Sequence, residues 1–471
     1  MTQLFGLLSI GTGSLLSQQR AINVTGNNIA NVNTPGYTRQ RVTMETQLPI
    51  DTASGLVGWG VQTSTIERVY DRYLSGQINN ENANLGRWEA QQGALDRVEV
   101  VFDESGAYGL NQALGDFWNS WQDLSMNPSG TIERAMVAAK SQALADTIHQ
   151  KYADLGQAQA DIDTAIVSGV EDINRLTAEI SGLNQKIAST EADGTVNAND
   201  YRDSRELALK QLSEIIDINS FEDGNGRVVV SVGRGRVLVE SGSTYTLTTT
   251  PPTATGHADI VWSNASGATM SIASEISSGK IAGWLQARDT KIEDYKDRLN
   301  DLAENLIEEV NDQHTAGFDR NGVAGVDFFE GPGPEFAAEM KVNALILADP
   351  NRIAAAATAP TAPLTTAGDA RNAVAIADLR TAQTMGGSAT FGDAANLLVS
   401  QVGHDVQEAK TYQSHQADML AYLDNYRESV SGVNLDEEMV NLVKYQAAYN
   451  AAAKMITLGD DMLNTLMNMV R

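Results

Sequence analysis

The chain has 471 residues, a formal net charge of −27 and no cysteine. That acidity excludes the basic face a nucleic acid needs and attraction to an anionic membrane surface. The missing thiols exclude disulfides, thiolate metal sites and cysteine catalysis.

No run approaches the ~18 apolar residues of a membrane span, and MTQLFGLLSIGTG lacks the basic start and long apolar stretch of a secretory signal. The first predicted element is a helix. Leu4, Leu8, Gly11, Leu15, Gln18, Ile22, Thr25, Ile29 and Val32 keep a 4-3 spacing that lines them along one seam. One heptad position is always large (Leu8, Leu15, Ile22, Ile29). The other is small or polar at Gly11, Gln18 and Thr25. The helix ends in NNIANVNTPGYTRQRV. Asn31 and Asn33 accept the left-handed or half-helical geometry of a helix end. Thr34-Pro35-Gly36-Tyr37 fits a type II turn, with Pro setting φ at the second position and Gly supplying positive φ at the third. TRQRVTME then alternates as an extended strand.

Leu74, Ile78, Leu85, Trp88 and Leu95 mark the next helix. Leu155, Ile162, Ile166, Ile173, Leu176, Ile180, Leu183 and Ile187 hold one register for about 50 Å, inside a proline-free stretch. From about Asp217 to Ser277 the period changes to two. RVVVSV, RVLVE, TYTLTTT and ADIVWS are β-branched runs separated by Gly-rich turns, which predicts hairpins. Leu285, Ile292, Tyr295, Leu299, Leu302 and Leu306 return to a helix. Ala316 to Gly368 is irregular, with one predicted strand, KVNALIL. Ala409, Tyr412, Met419, Leu423, Tyr426 and Val430 mark another helix. The last carries Leu435, Met439, Leu442, Gln446, Tyr449, Ala453, Ile456, Asp460, Leu463, Met467 and Val470 on a 4-3 seam. Neither terminal seam is a strong coiled coil alone; each needs the other, or an assembly, to complete it.

The expected fold is therefore mainly α with a β insert, elongated and discontinuous. Residues 1–40 and 431–471 form a terminal coiled-coil unit. Residues 41–216 and 278–430 form a long-helix bundle, with 316–368 either joined to it or a further lobe. Residues 217–277 form a small antiparallel β domain.

Catalytic and metal signals are weak. Of five histidines, His404 and His415 fall on one helix face but about 16 Å apart, too far for one metal ion. His149 and His257 have no acidic or histidine neighbour at ligand spacing. GFDRNGVAGVDF offers Asp319, Asn321 and Gly322 to a calcium loop, but Gly317 and Phe328 stand where its first carboxylate and its glutamate belong; Asn321-Gly322 reads as a tight turn. DGNGR and VGRGRV do not complete a phosphate-binding loop. Asp436-Glu437-Glu438 follows Asn434 and suits the positive end of the last helix's dipole. The expectation is no enzyme, no metal and no cofactor.

NNIANVNTPGYTRQRV resembles the signature of the bacterial flagellar rod, hook and hook-associated axial proteins. Ala30, Asn31, Asn33, Thr34, Gly36 and Tyr37 match an ANxNTxGY motif that follows the first helix, here with Pro35 between. VNLDEEMVNLVKYQAAYNAAAKMI resembles that family's C-terminus through Val433, Asn434, Glu438, Met439, Leu442, Gln446, Tyr449 and Ala452. SGKIAGWLQARDTKIEDYKDRLNDLAENLIEEVNDQHTAGFD and NGVAGVDFFEG resemble its hook–filament junction members more than its rod or hook proteins. The resemblance implies that the terminal helices pair and line the inner tube of an axial polymer, with the helical part outside them and the β part outermost. It implies a ring of identical subunits between the hook protein and the third hook-associated protein. It also implies export through the flagellar type III apparatus without cleavage, to the extracellular flagellum, with a dedicated chaperone covering the C-terminal helix. A hook or distal-rod protein is the alternative within the family; a surface adhesin or an enzyme-bearing flagellar protein is the alternative outside it.

Overall fold

The computed structural model describes residues 2–52, 55–104, 109–250, 256–264, 266–359 and 368–469. Helix α1 (Thr2–Ala30) ends at the predicted turn, where Tyr37 N–H donates to Thr34 O at 3.2 Å and Gly36 takes φ +79°. Neither Asn31 nor Asn33 is left-handed. Asn31 caps the helix through its side chain instead, Nδ2 donating to Asn27 O at 3.0 Å.

The strand read in TRQRVTME is present, but residues 41–68 do not join the helical bundle in which the sequence placed them. They form a β arm, with β1 (Gln40–Thr46) pairing β4 (Val61–Arg68) antiparallel and a smaller pair, β2 (Ile50–Thr52) and β3 (Gly55–Val57), between them. The arm packs along α1. Its alternation is half polar on both faces, so the hydrophobic pattern alone leaves its partner unspecified.

Four helices follow: α2 (Arg72–Val101), α3 (Leu110–Met126), α4 (Thr131–Thr190) and α5 (Asn199–Ile215). At 60 residues α4 is about 90 Å long, and it is the spine of the molecule. Its buried stripe, from Val137 through Leu155, Ile166 and Ile173 to Ile187, extends the register predicted for 155–187 by about five turns toward its N-terminus.

The β insert comprises β5 (Ile218–Glu222), β6 (Val228–Val232), β7 (Arg236–Glu240) and β8 (Ser243–Thr244) in one antiparallel sheet, and β9 (Leu247–Thr250), β10 (Asp259–Ser263) and β11 (Thr269–Ser271) in another. Val228, Val230 and Val232 alternate inward toward α4. Asn184 of α4 bonds the Val228 carbonyl and amide, and Asn174 bonds both backbone groups of Leu247.

Helix α6 (Gly279–Gln286) continues through a π turn, Ala287–Ile292, into α7 (Glu293–Thr315). The irregular region then shares the helical core: Phe328, Phe329, Ile346 and Ile353 join one buried cluster with Trp121 and Val310. It holds β12 (Phe329–Glu330), α8 (Phe336–Glu339), β13 (Lys341–Val342) and α9 (Ala344–Ala348), and α10 (Arg371–Asp378) follows it. KVNALIL is thus a strand only at its first two residues. Asn343 accepts the Leu345 N–H at 2.9 Å and starts a helix there.

Helices α11 (Phe391–Ser431) and α12 (Leu435–Met469) complete the chain. Helix α11 opens on a capping box between Thr390 and Asp393. It packs antiparallel to α2, with Tyr412 stacked on Trp88 at 4.6 Å. Of the residues marked from the sequence beyond Ala409, Tyr412 thus meets α2, and Met419 and Leu423 line a cleft with Gly76, Asn80 and Glu81 of that helix; Tyr426 and Val430 lie outward, 52% and 38% exposed.

Candidate assembly interface

Helices α1 and α12 run side by side, antiparallel. Asn28 meets Glu438 at one end, and Leu8 meets Gly459 at the other. The contact is built on small residues. A Cβ on Gly11 would stand 2.9 Å from Ile456 Cγ1, and one on Gly459 would stand 2.7 Å from Leu8 Cδ2. Ala452 is buried between them.

This corrects half of the predicted seam. Leu8, Leu15, Ile22, Ile29, Leu442, Tyr449, Ile456 and Leu463 are at least half-buried. Leu435, Met439 and Met467 are 45%, 59% and 69% exposed. The heptad partners of the large residues in α12 are Glu438, Tyr445, Ala452 and Gly459, one position before the predicted ones. The short side chains of Ala452 and Gly459 let the two helix axes approach closely, and Met439 and Met467 turn outward. The side chain of Leu4, and Val470, lie outside the described residues.

A buried polar joint closes the pair at the motif. Asn28 is 1% exposed. Its Oδ1 accepts from Gln40 N at 2.9 Å and Tyr37 OH at 2.8 Å, and its Nδ2 donates to Gln40 O at 2.9 Å and Glu438 Oε2 at 3.1 Å. Arg39 Nε donates to Glu438 Oε1 at 2.9 Å, and its Nη1 to Glu437 at 2.8 Å. Asn434 caps α12 by accepting from Asp436 N, so the acidic run does stand in the first turn. Burial, then the carboxylates of Asp200, Asp203 and Glu438, push the Tyr37 phenol up. It stays protonated and keeps donating.

The same turn seats on α5. Thr38 N and Oγ1 donate to the two oxygens of Asp203 at 3.0 and 2.5 Å, and Arg68 Nη1 reaches Asp203 Oδ1 at 2.7 Å. Gln40 Nε2 donates to Asp200 at 2.9 Å. A side chain on Gly36 would press on Leu207, 3.2 Å away.

Of the motif residues, Gly36 and Tyr37 join this network and Asn31 caps the helix, holding the Thr34 hydroxyl at 3.1 Å. Ala30, Asn33, Thr34 and Pro35 remain exposed. Asn28, Thr38, Arg39, Gln40, Asp200 and Asp203 were not selected from the sequence, because their partners lie as far as 410 residues away.

The other candidates resolve as structure. Asp319 Oδ1 accepts from Asn321 N and Val323 N in a tight turn. His257 does have acidic neighbours, brought by folding: Asp163 at 3.5 Å from Nδ1 and Glu293 at 3.6 Å from Nε2. Opposite ring nitrogens face them, so no single ion joins all three. Among the described residues, no His, Cys, Asp and Glu group has metal-site geometry, and no helix is long and apolar enough to cross a membrane.

Comparison with known proteins places these features. The description "Flagellar hook-associated protein FlgK helical domain" matches residues 95–329, "Flagella basal body rod protein" matches 8–38, and "Flagellar basal body rod FlgEFG protein C-terminal" matches 427–469. The chain is 31% identical to flagellar hook-associated protein 1 of Bacillus subtilis, over 99% of each chain. It is 25% identical to the protein of that name from Escherichia coli, over 98% of this chain and 99% of the other. The solved flagellar hook junction protein FlgK from Burkholderia pseudomallei shares the fold, with TM-score 0.65 and 16% identity over 75% of this chain and all of that one.

Proposed function

The chain belongs to the flagellar hook-associated protein 1 family, and from that premise we propose that it is a structural subunit of the bacterial flagellum, the junction on which filament meets hook. The observation that carries this reading is the character of the terminal pair. Helix α1 has one charged residue, Arg20. Helix α12 has five acidic and two basic residues. Together they hold −2 of the chain's −27. On that nearly neutral unit Leu435, Met439, Val440, Val443, Leu458, Met462 and Leu466 are 45–68% exposed. Exposed apolar surface of this extent marks an interface. In the proposed assembly, copies of the chain cover it.

The stripe extends onto α11 as Met419, Tyr422, Tyr426 and Val430, so neighbouring copies touch along the body as well as the termini. The hook protein lies on one side of the ring and the third hook-associated protein on the other. The role is mechanical, not catalytic. Such a stripe is an aggregation hazard before assembly, which supports a chaperone on α12 before delivery to the flagellum.

Deleting the gene tests the reading. Hooks should persist without filaments, with flagellin released into the medium. Normal filaments would refute it, and loss of the hooks themselves would indicate a hook or rod subunit instead.

A further inference from the structure

Among the described residues, no shared apolar core crosses the joint between the terminal pair and the body. Among the described residues, the buried apolar cluster takes members from α2 through α11 and none from α1, the β arm or α12. What crosses is mainly polar: Thr38 and Arg68 to Asp203, Gln40 to Asp200, Asn197 and Asn199 to the Ile66 carbonyl, and Arg39 N–H to the Ser431 carbonyl. Beside these bonds lies a cleft of about 320 Å³ between the turn, α2, α5 and α11, lined by Pro35, Gly36, Tyr70, Glu206, Leu207 and Lys210. Polar contacts around a cleft, without shared core, are the usual construction of an interface that permits domain motion.

Asp203 holds both ends of the arm at once. Gln40 pairs with Arg68 at the base of the β1–β4 ladder. Thr38 leads into that base and Arg68 leads out of it, and both bond the one carboxylate. Its side chain and that of Arg68 are each 7% exposed, so water does not readily replace either partner.

We propose that Asp203 is the positioning residue of the joint: by clasping Thr38 and Arg68 it fixes the angle at which the terminal pair leaves the body, and opening the clasp lets the pair swing over the cleft. Nothing else among the described residues binds both ends of the arm through one group. Asp200 holds only Gln40, and the Asn197 and Asn199 amides reach only one strand. The importance of a fixed angle to a subunit between two different polymers rests on the junction reading; the clasp itself does not.

The absence of cysteine from the chain makes the test direct. Ala192→Cys and Ala447→Cys, both at exposed sites, carry spin labels across the joint in the full-length chain. Pulsed dipolar spectroscopy should give one narrow distance with Asp203 present. Asp203→Asn, which keeps shape but loses the charge, and Thr38→Val, which removes one clasped donor, should lose that single peak and spread. Asp193→Asn, an exposed control, should leave it unchanged. The near-ultraviolet signal of the buried tryptophans should stay the same throughout, since they lie in the body. A parent distribution already as broad as that of the variants, or variants as narrow as the parent, overturns the proposal. So does collapse of the tryptophan signal in Asp203→Asn, which would make Asp203 a residue of the fold and not of the angle. The measurement makes no use of the flagellum, so its outcome and that of the gene deletion are read independently.

Discussion

His314 gives the body a pH dependence that can be calculated in advance. The ring is 0% exposed, at the C-terminal end of α7, between Trp121 and Phe328. Nδ1 lies 2.6 Å from the Val326 carbonyl and so carries the proton, while Nε2 accepts the Ala354 N–H at 2.9 Å. A second proton would have to displace that amide and put a charge among aromatic rings. Burial accordingly pushes the group from 6.5 down to about 4. The unfolded chain then binds a proton that the folded chain refuses. Stability from this group is complete above about pH 6.5, falls as pH drops toward 4, and changes little below that. The gap between 6.5 and about 4 is worth about 3 kcal/mol, with no discount for solvent because the ring is fully buried. Carboxylates titrate in part of the same range, so the parent must be compared with His314→Gln, which can still donate to one carbonyl and accept from one amide. Urea unfolding at intervals from pH 7.5 to 4 should show the parent's advantage shrinking by about 3 kcal/mol. Two curves that run parallel over that range would refute the reasoning.

Glu438→Ala removes an acceptor from Asn28 and one of two carboxylates from Arg39, whose side chain is 24% exposed and retains Glu437. That partial exposure brings the cost below a full buried-pair loss, to about 2 kcal/mol, seen as roughly 30-fold faster amide exchange over the last turns of α1. Gly36→Ala puts a Cβ at φ +79° and 3.2 Å from Leu207. It should lower stability by about 1–2 kcal/mol in equilibrium unfolding, and an unchanged midpoint would remove the turn from the account. Met439→Asp and Val443→Asp alter residues 59% and 64% exposed. Each should change free-chain stability by less than about 0.5 kcal/mol and yet abolish filament growth in a complementation assay.

How much of this was legible in the sequence depended on the range of the interaction. The turn at Thr34–Tyr37 was readable because a Pro-Gly pair states its own dihedral angles. Helix α4 was readable because Leu155 to Ile187 hold one face toward a core that runs its whole length. The strands of the β insert were readable from Val228, Val230 and Val232, whose alternation matches a one-sided sheet. KVNALIL misled because Val, Ile and Leu suit either structure, and the deciding residue was Asn343, a cap. The polar joint was hardly legible. Asn28 sits in a polar tract like any helix end, and nothing local to Asp203 says that Thr38 and Arg68 will close on it from 165 and 135 residues away. A buried polar group carries no periodic signature; only the fold makes it unusual.

The terminal seams were misread in an instructive way. A 4-3 pattern of large residues is ordinarily evidence for the face a helix buries in its own chain. In α12 one heptad position does so: Leu442, Tyr449, Ile456 and Leu463 lie toward α1. The other predicted position, with Met439 and Met467, points away, and Ala452 and Gly459 take its place; Leu435, which opens the first position, is itself 45% exposed. The helix thus carries two apolar faces and spends its smaller residues on the internal one. Small side chains bury little area, and burial stabilises in proportion to area, about 25 cal/mol per Å²; the internal pairing is therefore weak for its length. Its register is set by the Asn28–Glu438–Arg39 bonds, the role buried polar groups perform best. The larger residues remain outward, where a neighbouring copy can cover them. A pair held in place by hydrogen bonds but stabilised from outside is suited to a subunit that must arrive alone and become rigid only in a polymer.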